Sequence, residues 1–504
     1  MEHPAPSQGP VFSEKETQSI DDASSGTLSV EPAGQNLRAG TLPRLDSLMD
    51  QLGLSSRFHG NASVRGSDPI IRSPHKLGEA SATAQLLIGV AASAIENAKN
   101  GSTTDISIDI ADALHYLHPT HFVRQAGRLI NVGAEHVDLN NTYLCADGRY
   151  VMLEAGPPYP KLLKGYLNFF DCGDNKKSIA REVAKWNSEK LEKALNDAGL
   201  PCCRAFTREE WLSHPQGKLL NDTPVIEIEK IADGPRVPFP GREAAVPLSG
   251  VRVVDFTHVL AGPRSTRTLA EYGADVLHVT SPDYPDTFAQ HLGVDIGKRC
   301  TYLDLRSDAD LAQIHELIAT GDVFATSYRH SVNERFGLLP EQLSAKSERG
   351  IVCLTANAYG HDGPWAGRPG FDQNGQVASG FAMKEGGTKP QFSPVFYLAD
   401  LMTGYFAAAG MMAALLRRSI EGGSYHVKVS LARSAMWVQE LGFLDVAGQH
   451  DVPEEDVLPA KTKTMDSIYG PLSFLAPPLK FTNLDIPQFD TIEPYGASSP
   501  EWQR

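Results

Sequence analysis

Residues 403–437 read TGYFAAAGMMAALLRRSIEGGSYHVKVSLARSAMW, and residues 82–116 read ATAQLLIGVAASAIENAKNGSTTDISIDIADALHY. Setting Gly89 on Gly410 aligns the two stretches without a gap. Gly101 then falls on Gly422 and Ala111 on Ala432. Just upstream, Asp400 in YLADLMTG falls on Glu79 in KLGEASAT. The chain therefore carries two versions of one helix–turn–strand–helix unit, and only one keeps the aspartate. An internal repeat governs how everything around it is read.

From Leu248 onward, short apolar runs alternate with helical patterns. Val251–Phe256, Asp275–Val279, Cys300–Leu305, Val323–Ala325 and Ile351–Ala356 read as buried strands, with helices over Gly262–Tyr272 and Asp308–Thr320. That alternation predicts an α/β large domain over 248–446, built on a doubly wound parallel sheet and closed by the second repeat copy. Ahead of it, 119–235 reads as a smaller α+β domain. It has a hairpin over Thr142–Glu154 turning at Asp147-Gly148, helices near Pro160–Phe169 and Lys177–Ala198, and a strand over Val225–Lys230. Gly199 ends the longer helix, and Thr207 caps the next one, Arg208–Leu212. The partial first copy occupies 76–118. Residues 236–247 read as a Pro-rich linker and 1–75 as a disordered leader with a short helix near Leu45–Leu54. Residues 447–504 read as an irregular tail.

At 504 residues the chain has room for two or three domains with sizeable cores. Its net charge of −15 argues against nucleic-acid or anionic-membrane partners but leaves room for an anionic ligand at a local basic cluster. No apolar stretch reads as a membrane span, Leu86–Ile95 being the closest to a false alarm. Neither a secretory start nor a peroxisomal ending is visible, so a cytoplasmic location is expected. The six cysteines form no C-x-x-C pair and gather no histidines, so thiols in a reducing compartment are expected and no metal site.

The first strand of the large domain runs into a small-residue turn and then a helix, in GVRVVDFTHVLAGPRSTRTLAEYGADVLHV. Backbone N–H groups at such a helix start can hold phosphate or carboxylate. The glycine pattern G-x-G-x-x-G is absent, which removes the main support for a dinucleotide.

These stretches resemble the family III CoA-transferases, the group that includes formyl-CoA transferase, carnitine CoA-transferase and alpha-methylacyl-CoA racemase. The resemblance rests on GVRVVDFTHVLAGP (250–263), GADVLHV (273–279), GKRCTYLDLRS (297–307), GDVFATSYRHSVNERFGL (321–338), GHDGPWAGRPGFD (360–372) and LADLMTGYFAAAGMMAALL (398–416), in family order. CADGRYVMLEA (145–155) and AGLPCCRAFTREEWLSHPQ (198–216) are similar to the family's small domain, which usually follows the large one. Here it comes first, so the domain order reads as permuted. APPLKFTNLDIP (476–487) resembles the family's final stretch.

The resemblance implies an acyl-CoA transferase. An aspartate attacks the acyl-CoA thioester, a mixed anhydride forms, and a carboxylic acid acceptor follows. Coenzyme A is then a moiety of the substrate, with no permanently bound cofactor. Asp400 matches the attacking aspartate; a carboxylate is ionised at neutral pH without help from a base. Its plain alternative is a helix N-cap. Asp372 is placed to position or tune it. Glu79, one methylene longer, is expected to be inert. The resemblance places CoA contacts at His258, Val259 and Ala261 in the first turn, and at Lys298, Arg299, Arg306 and Arg335. Thr280-Ser281-Pro282 and Ser327-Tyr328 depart from the family's usual residues at adenine and ribose positions. Racemases of the group carry a histidine where Phe371 stands, so transfer is favoured over proton shuttling. The alternatives are an acyl-CoA racemase or isomerase on the same fold and a catalytically inactive CoA-binding protein. An interlocked homodimer is the assembly the resemblance implies.

Overall fold

The computed structural model describes residues 37–38, 43–130, 137–156, 159–240, 246–395, 397–446, 460–484, 486 and 491–503. The leader up to residue 36 and residues 241–245 of the linker lie outside the described residues.

Seven strands form the large sheet: β1 Glu227–Ala232, β2 Arg252–Phe256, β3 Asp275–Thr280, β4 Arg299–Tyr302, β5 Val323–Thr326, β6 Val352–Asn357 and β7 Ser424–Ser430. Their spatial order is β4-β3-β2-β5-β6-β7-β1. Neighbours from β4 through to β7 run parallel, and β1 closes the edge antiparallel to β7. The inner strands that the sequence reads as buried apolar runs are buried on both faces, as helices covering a parallel sheet require, while the edge strand β4 leaves Tyr302 exposed.

The repeat is a repeat of structure. Helix α1 spans Leu77–Asn100, and helix α2, Leu398–Glu421, occupies the same positions of the second copy, 24 residues each. Gly101 and Gly422 end them at equivalent places with left-handed φ angles of 75° and 71°. The glycines at the repeat's centre match in their surroundings too. A Cβ on Gly89 would meet Ile106 and Leu479, and one on Gly410 would meet Val427 and Ile226. Ile106 and Val427 are equivalent positions. In both copies an antiparallel strand lies beside the repeat's own: Lys480–Phe481 beside Ile106–Asp109, and β1 beside β7. The two long helices pack on one another.

Several expectations change. The helix expected over Lys177–Ala198 is two, Lys176–Val183 and Ser188–Asp197, because the Asn187 side chain accepts the N–H groups of Glu189 and Lys190 at 3.1 and 3.3 Å and starts a new helix. The strand near Val225–Lys230 does not belong to the small domain. It is β1 of the large sheet, held by the Ile228–Val427 pairing and the Lys428–Glu229 ion pair at 3.0 Å. From Pro43 the leader is ordered, with a helix Pro43–Leu52 and a strand Ala62–Arg65 pairing parallel to Ile106–Asp109. The tail is not irregular. Strands Thr462–Met465 and Leu472–Leu475 pair with each other, and the second also pairs with Arg124–Gln125. The Arg124–Gln125 partner of that second strand is more than 300 residues distant, so no local pattern announces that pairing. Among the described residues one helix, α2, is long and apolar enough to cross a membrane, and the 18-residue apolar stretch that makes it so is entirely buried.

Gly404 lets α2 touch the helix α3, Ala261–Glu271. A Cβ there would stand 2.8 Å from the Ala261 carbonyl oxygen and 3.1 Å from Arg264 Cβ. Gly404→Ala is expected to push the two helices apart and cost about 1–3 kcal/mol. A lowered urea midpoint against wild type is the check; an unchanged midpoint would mean that the contact relaxes freely.

Candidate active site

The strand order reverses between β2 and β5, and such a switch point is where open α/β sheets hold ligands, beyond the carboxyl ends of the strands. The chain leaving β2 is Thr257-His258-Val259-Leu260, and the chain leaving β5 is Ser327-Tyr328. They meet directly. The His258 N–H donates to Ser327 Oγ at 3.1 Å, and the His258 and Tyr328 rings lie 4.5 Å apart. Val259 is a β-branched residue with φ at 69°, a conformation that costs free energy unless it is held. Its N–H donates to Asp286 Oδ2 at 2.9 Å, which holds it.

Beneath this turn lies a buried ionic network. Lys298 Nζ reaches Asp255 Oδ2 at 2.8 Å, Asp295 Oδ1 at 3.1 Å and the Pro263 carbonyl at 2.9 Å. His278 Nδ1 meets Asp255 at 3.1 Å, and Asp295 also takes contacts from His291 and Tyr495. Burial works against charge on Asp255, yet Lys298 and His278 hold it well below the usual carboxylate range. Asp255, His278 and Asp295 converge as a metal's ligands would, but the Lys298 ammonium sits among them.

Helix α2 brings Asp400 to the same region, one turn before Gly404. A short helix α4, Asp372–Ala378, supplies its neighbour. The Asp400 N–H donates to Asp372 Oδ2 at 2.8 Å, and Gln376 donates to Asp372 Oδ1. The Gln376 amide is itself fixed by the Ser393 N–H at 2.8 Å. Asp372 thus caps α2, and Asp400 does not. No hydrogen-bond donor among the described residues reaches the Asp400 carboxyl.

A third carboxyl arrives from the other half of the chain. The hairpin strand Tyr150–Leu153 ends at Glu154, which is 5% exposed and leaves Oε2 without a hydrogen-bond partner. Two residues on, a Cβ on Gly156 would stand 2.8 Å from Phe371 Cζ, so only glycine allows the hairpin this close to α4. Tyr159 then bridges the halves. Its hydroxyl contacts His258 Nδ1, and its ring lies 5.9 Å from Phe371. Burial pushes the His258 imidazole down to about 4, with His278 adding to the effect, so His258 is neutral.

Burial raises all three carboxyls, Asp372 adds to the shift of the other two, and Glu154 adds to that of Asp400. Burial lifts Asp400 well above the carboxylate range, and Asp372 and Glu154 lift it further. Burial takes Asp372 up to about 7 despite the N–H donors of Asp400, Gln376 and Ala399. Burial and then Asp372 push Glu154 up to about 8, against the N–H of Gly156. Because Asp372 takes the donors, it is the member that best bears charge, whereas the Asp400 carboxyl receives none and burial holds it above the ordinary carboxylate range.

The other expected residues divide. His258 and Val259 sit in the turn after β2, and Ala261 opens α3, its carbonyl oxygen lying against Gly404, one turn after Asp400. Lys298 has no exposed side-chain surface and is spent in the buried network, so it cannot meet a phosphate. Arg299 is clamped on Asp275 at 2.9 Å. Arg306 lies at the surface paired with Asp304 and Asp283, and the exposed Arg335 covers the Phe336 ring. Glu79 forms a surface-side pair with Lys76 at 3.1 Å, away from any carboxyl cluster. Glu154, Tyr159 and Asp286 were not legible in advance. The one local signal was Gly156 after a hairpin, and what it approaches lies more than 200 residues away.

A doubly wound α/β sheet with a carboxyl cluster beside its switch point is the frame in which the comparisons fall. Residues 248–467 match the model of CoA-transferase family III. A similar protein is the acetyl-coenzyme A transferase nodX of Hypoxylon pulicicidum, 29% identical over 350 residues, covering 64% of this chain and 59% of that one. Another is an acyl-CoA transferase of Gibberella moniliformis, 31% identical over 265 residues, covering 50% of this chain and 47% of that one. The crystal structure of a hypothetical protein (Rv3272) from Mycobacterium tuberculosis is 31% identical, covers 39% of this chain and 58% of that one, and has a TM-score of 0.37. The chain spans about half the length of the curated relatives it matches.

The cluster has a thermodynamic signature. Carboxyls that stay protonated when folded but ionise when unfolded make stability fall as pH rises above about 4. Asp400→Asn removes one such group. The variant is expected to be more stable than wild type at pH 7.5, by about 1 kcal/mol or more, with the gap closing towards pH 4. Thermal melts across that range test it; an equal or larger gap at pH 4 would contradict it.

Proposed function

We propose that the chain is an enzyme that moves coenzyme A between an acyl-CoA donor and a carboxylic acid acceptor, with Asp400 as the covalent nucleophile. The observation that carries this reading is the position of Asp400. It is the unpaired carboxyl of the cluster, at the start of α2, beside the switch-point turn and inside the family III domain.

The chemistry follows from the geometry. Through one oxygen, the ionised Asp400 carboxylate attacks the thioester carbonyl. A C–O bond forms, the C–S bond breaks, and the electron pair leaves on sulfur as the thiolate, a good leaving group. The mixed anhydride is then open to the acceptor acid. Asp372 positions the nucleophile by holding its backbone N–H, and neutral His258, tied to Tyr159, shapes the wall facing the donor. The exposed Arg306 and Arg335 are the expected basic residues still available to CoA phosphates. Phe371 stands where racemases of the group carry a histidine, which favours transfer over racemisation.

The small α+β module precedes the large domain, and we read this order as a permutation, with the first repeat copy as the end of a shortened unit. An interlocked homodimer is the assembly proposed for it. Light scattering is the check, and a single species at the monomer mass would overturn that assembly.

The central test is intact-protein mass after mixing with acetyl-, succinyl- and cinnamoyl-CoA, with hydroxylamine to trap an activated aspartyl carbonyl. Wild type is expected to gain a hydroxamate that peptide mapping places on Asp400, and Asp400→Ala none. CoA binding without any adduct would overturn the covalent mechanism.

A further inference from the structure

Glu154 has no role in the reaction as described so far, and its surroundings are unusual. It lies outside the family-matched residues, 5% exposed, on the module that closes over Asp400. One of its carboxyl oxygens takes the Gly156 N–H, and Oε2 is buried without a partner. A buried carboxyl oxygen left unpaired costs roughly 1–3 kcal/mol, and such an orphan calls for an explanation. The groups facing it are Asp372 from α4, Asp400 from α2 and Tyr166 of its own module, whose hydroxyl donates to the Glu154 backbone carbonyl at 3.3 Å. No Lys, Arg or His among the described residues joins the groups that set the charge on these three carboxyls.

We propose that Glu154 is a catalytic residue: its unpaired oxygen carries a hydrogen that it donates to the acyl oxygen of the substrate while the acyl group passes to Asp400. The proposal rests on the transferase reading above. When Asp400 attacks, the C–O bond forms and the thioester oxygen takes on negative charge. The Glu154 hydroxyl stabilises that oxyanion through an O–H···O⁻ hydrogen bond, and its proton stays on Glu154 when the C–S bond breaks. A neutral acid is the fitting donor, because a lysine or arginine here would pair with Asp372 or Asp400 and hold the nucleophile in a salt bridge.

The test compares full-length wild type, Glu154→Gln and Glu154→Ala in single-turnover release of CoA thiol, using the donor that labels Asp400. Gln keeps the shape and an N–H donor but cannot ionise. Glu154→Ala is expected to slow acylation about 10²–10³-fold, the usual loss of an oxyanion donor, and Glu154→Gln less than tenfold. Wild-type kcat/KM is expected to fall at alkaline pH as Glu154 ionises, a limb the Gln variant lacks. Acylation by Glu154→Ala within threefold of wild type, or a Gln variant as slow as Ala, would overturn the role. So would an alkaline limb retained in Gln. Should Glu154→Ala not fold, the Gln variant's pH profile decides alone. Adducts in wild type and Glu154→Ala at equal rates would overturn this proposal only; none in wild type would overturn the transferase reading with it.

Discussion

The whole site depends on how one helix begins. Helix α2 is apolar all round, and its first N–H groups are buried, where water cannot satisfy them. A carboxylate from another segment must cap them, and Asp372 does so through the N–H of Asp400. The first copy solves the same problem in the same way. There Asp68 accepts the N–H groups of Gly78 and Glu79 at 3.1 and 2.8 Å, the repeat equivalents of Ala399 and Asp400. Capping from outside frees the side chain at the start of the helix from capping duty. In one copy that freedom leaves Asp400 buried and unpaired beside the switch point. In the other it leaves Glu79 turned towards Lys76 and solvent. The cap is structural in both copies and bears on chemistry only where a second carboxyl is enclosed with it.

The protein buries acids in two contrasting ways within one domain. Asp255 and Asp295 are enclosed with Lys298 and His278, which leaves them fully charged and inert, a brace under the turn that carries Val259. Asp372, Asp400 and Glu154 are enclosed with no cation among the groups that set their charge, and burial raises all three. Burying acids without charge partners is costly for stability, and such perturbed groups are what a functional site uses. Lys298 illustrates the difference. By sequence it borders a strand as a phosphate-binding lysine would, yet its ammonium points inward, because Asp255 on β2 and Asp295 need it more than solvent does.

What was legible in the sequence was local or periodic. The repeat, the parallel sheet, the Asp147-Gly148 hairpin and the Thr207 cap are written in spacing and turn chemistry. The pair of Asp372 and Asp400 followed from a resemblance carried by an ordered set of motifs. What was not legible depends on partners far along the chain. The strand Lys480–Phe481 has too few residues to show a period, and it exists because Ile106 and Ser107 offer a ladder edge. β1 joins the large sheet rather than its own module because β7 needs an edge partner. Glu154 reads as an ordinary strand-end glutamate until Gly156 is seen to admit Phe371, and nothing within ten residues of it names that partner.

This dependence on distant partners also accounts for an inert copy that persists. A helix as apolar as α2 must be covered on every side to remain in water. The large sheet covers one side through Val427 and Ile226, and α3 approaches another through Gly404. Helix α1 packs on it as well, with buried side chains along nearly its full length. That requirement constrains the apolar positions and the glycines of the first copy, and these are the features it shares with the second. It places no demand on the side chain at residue 79, which lies at the rim of the contact. Glutamate in place of aspartate at the start of the first copy's helix is therefore compatible with retention of its fold, and that fold helps cover the helix that carries Asp400.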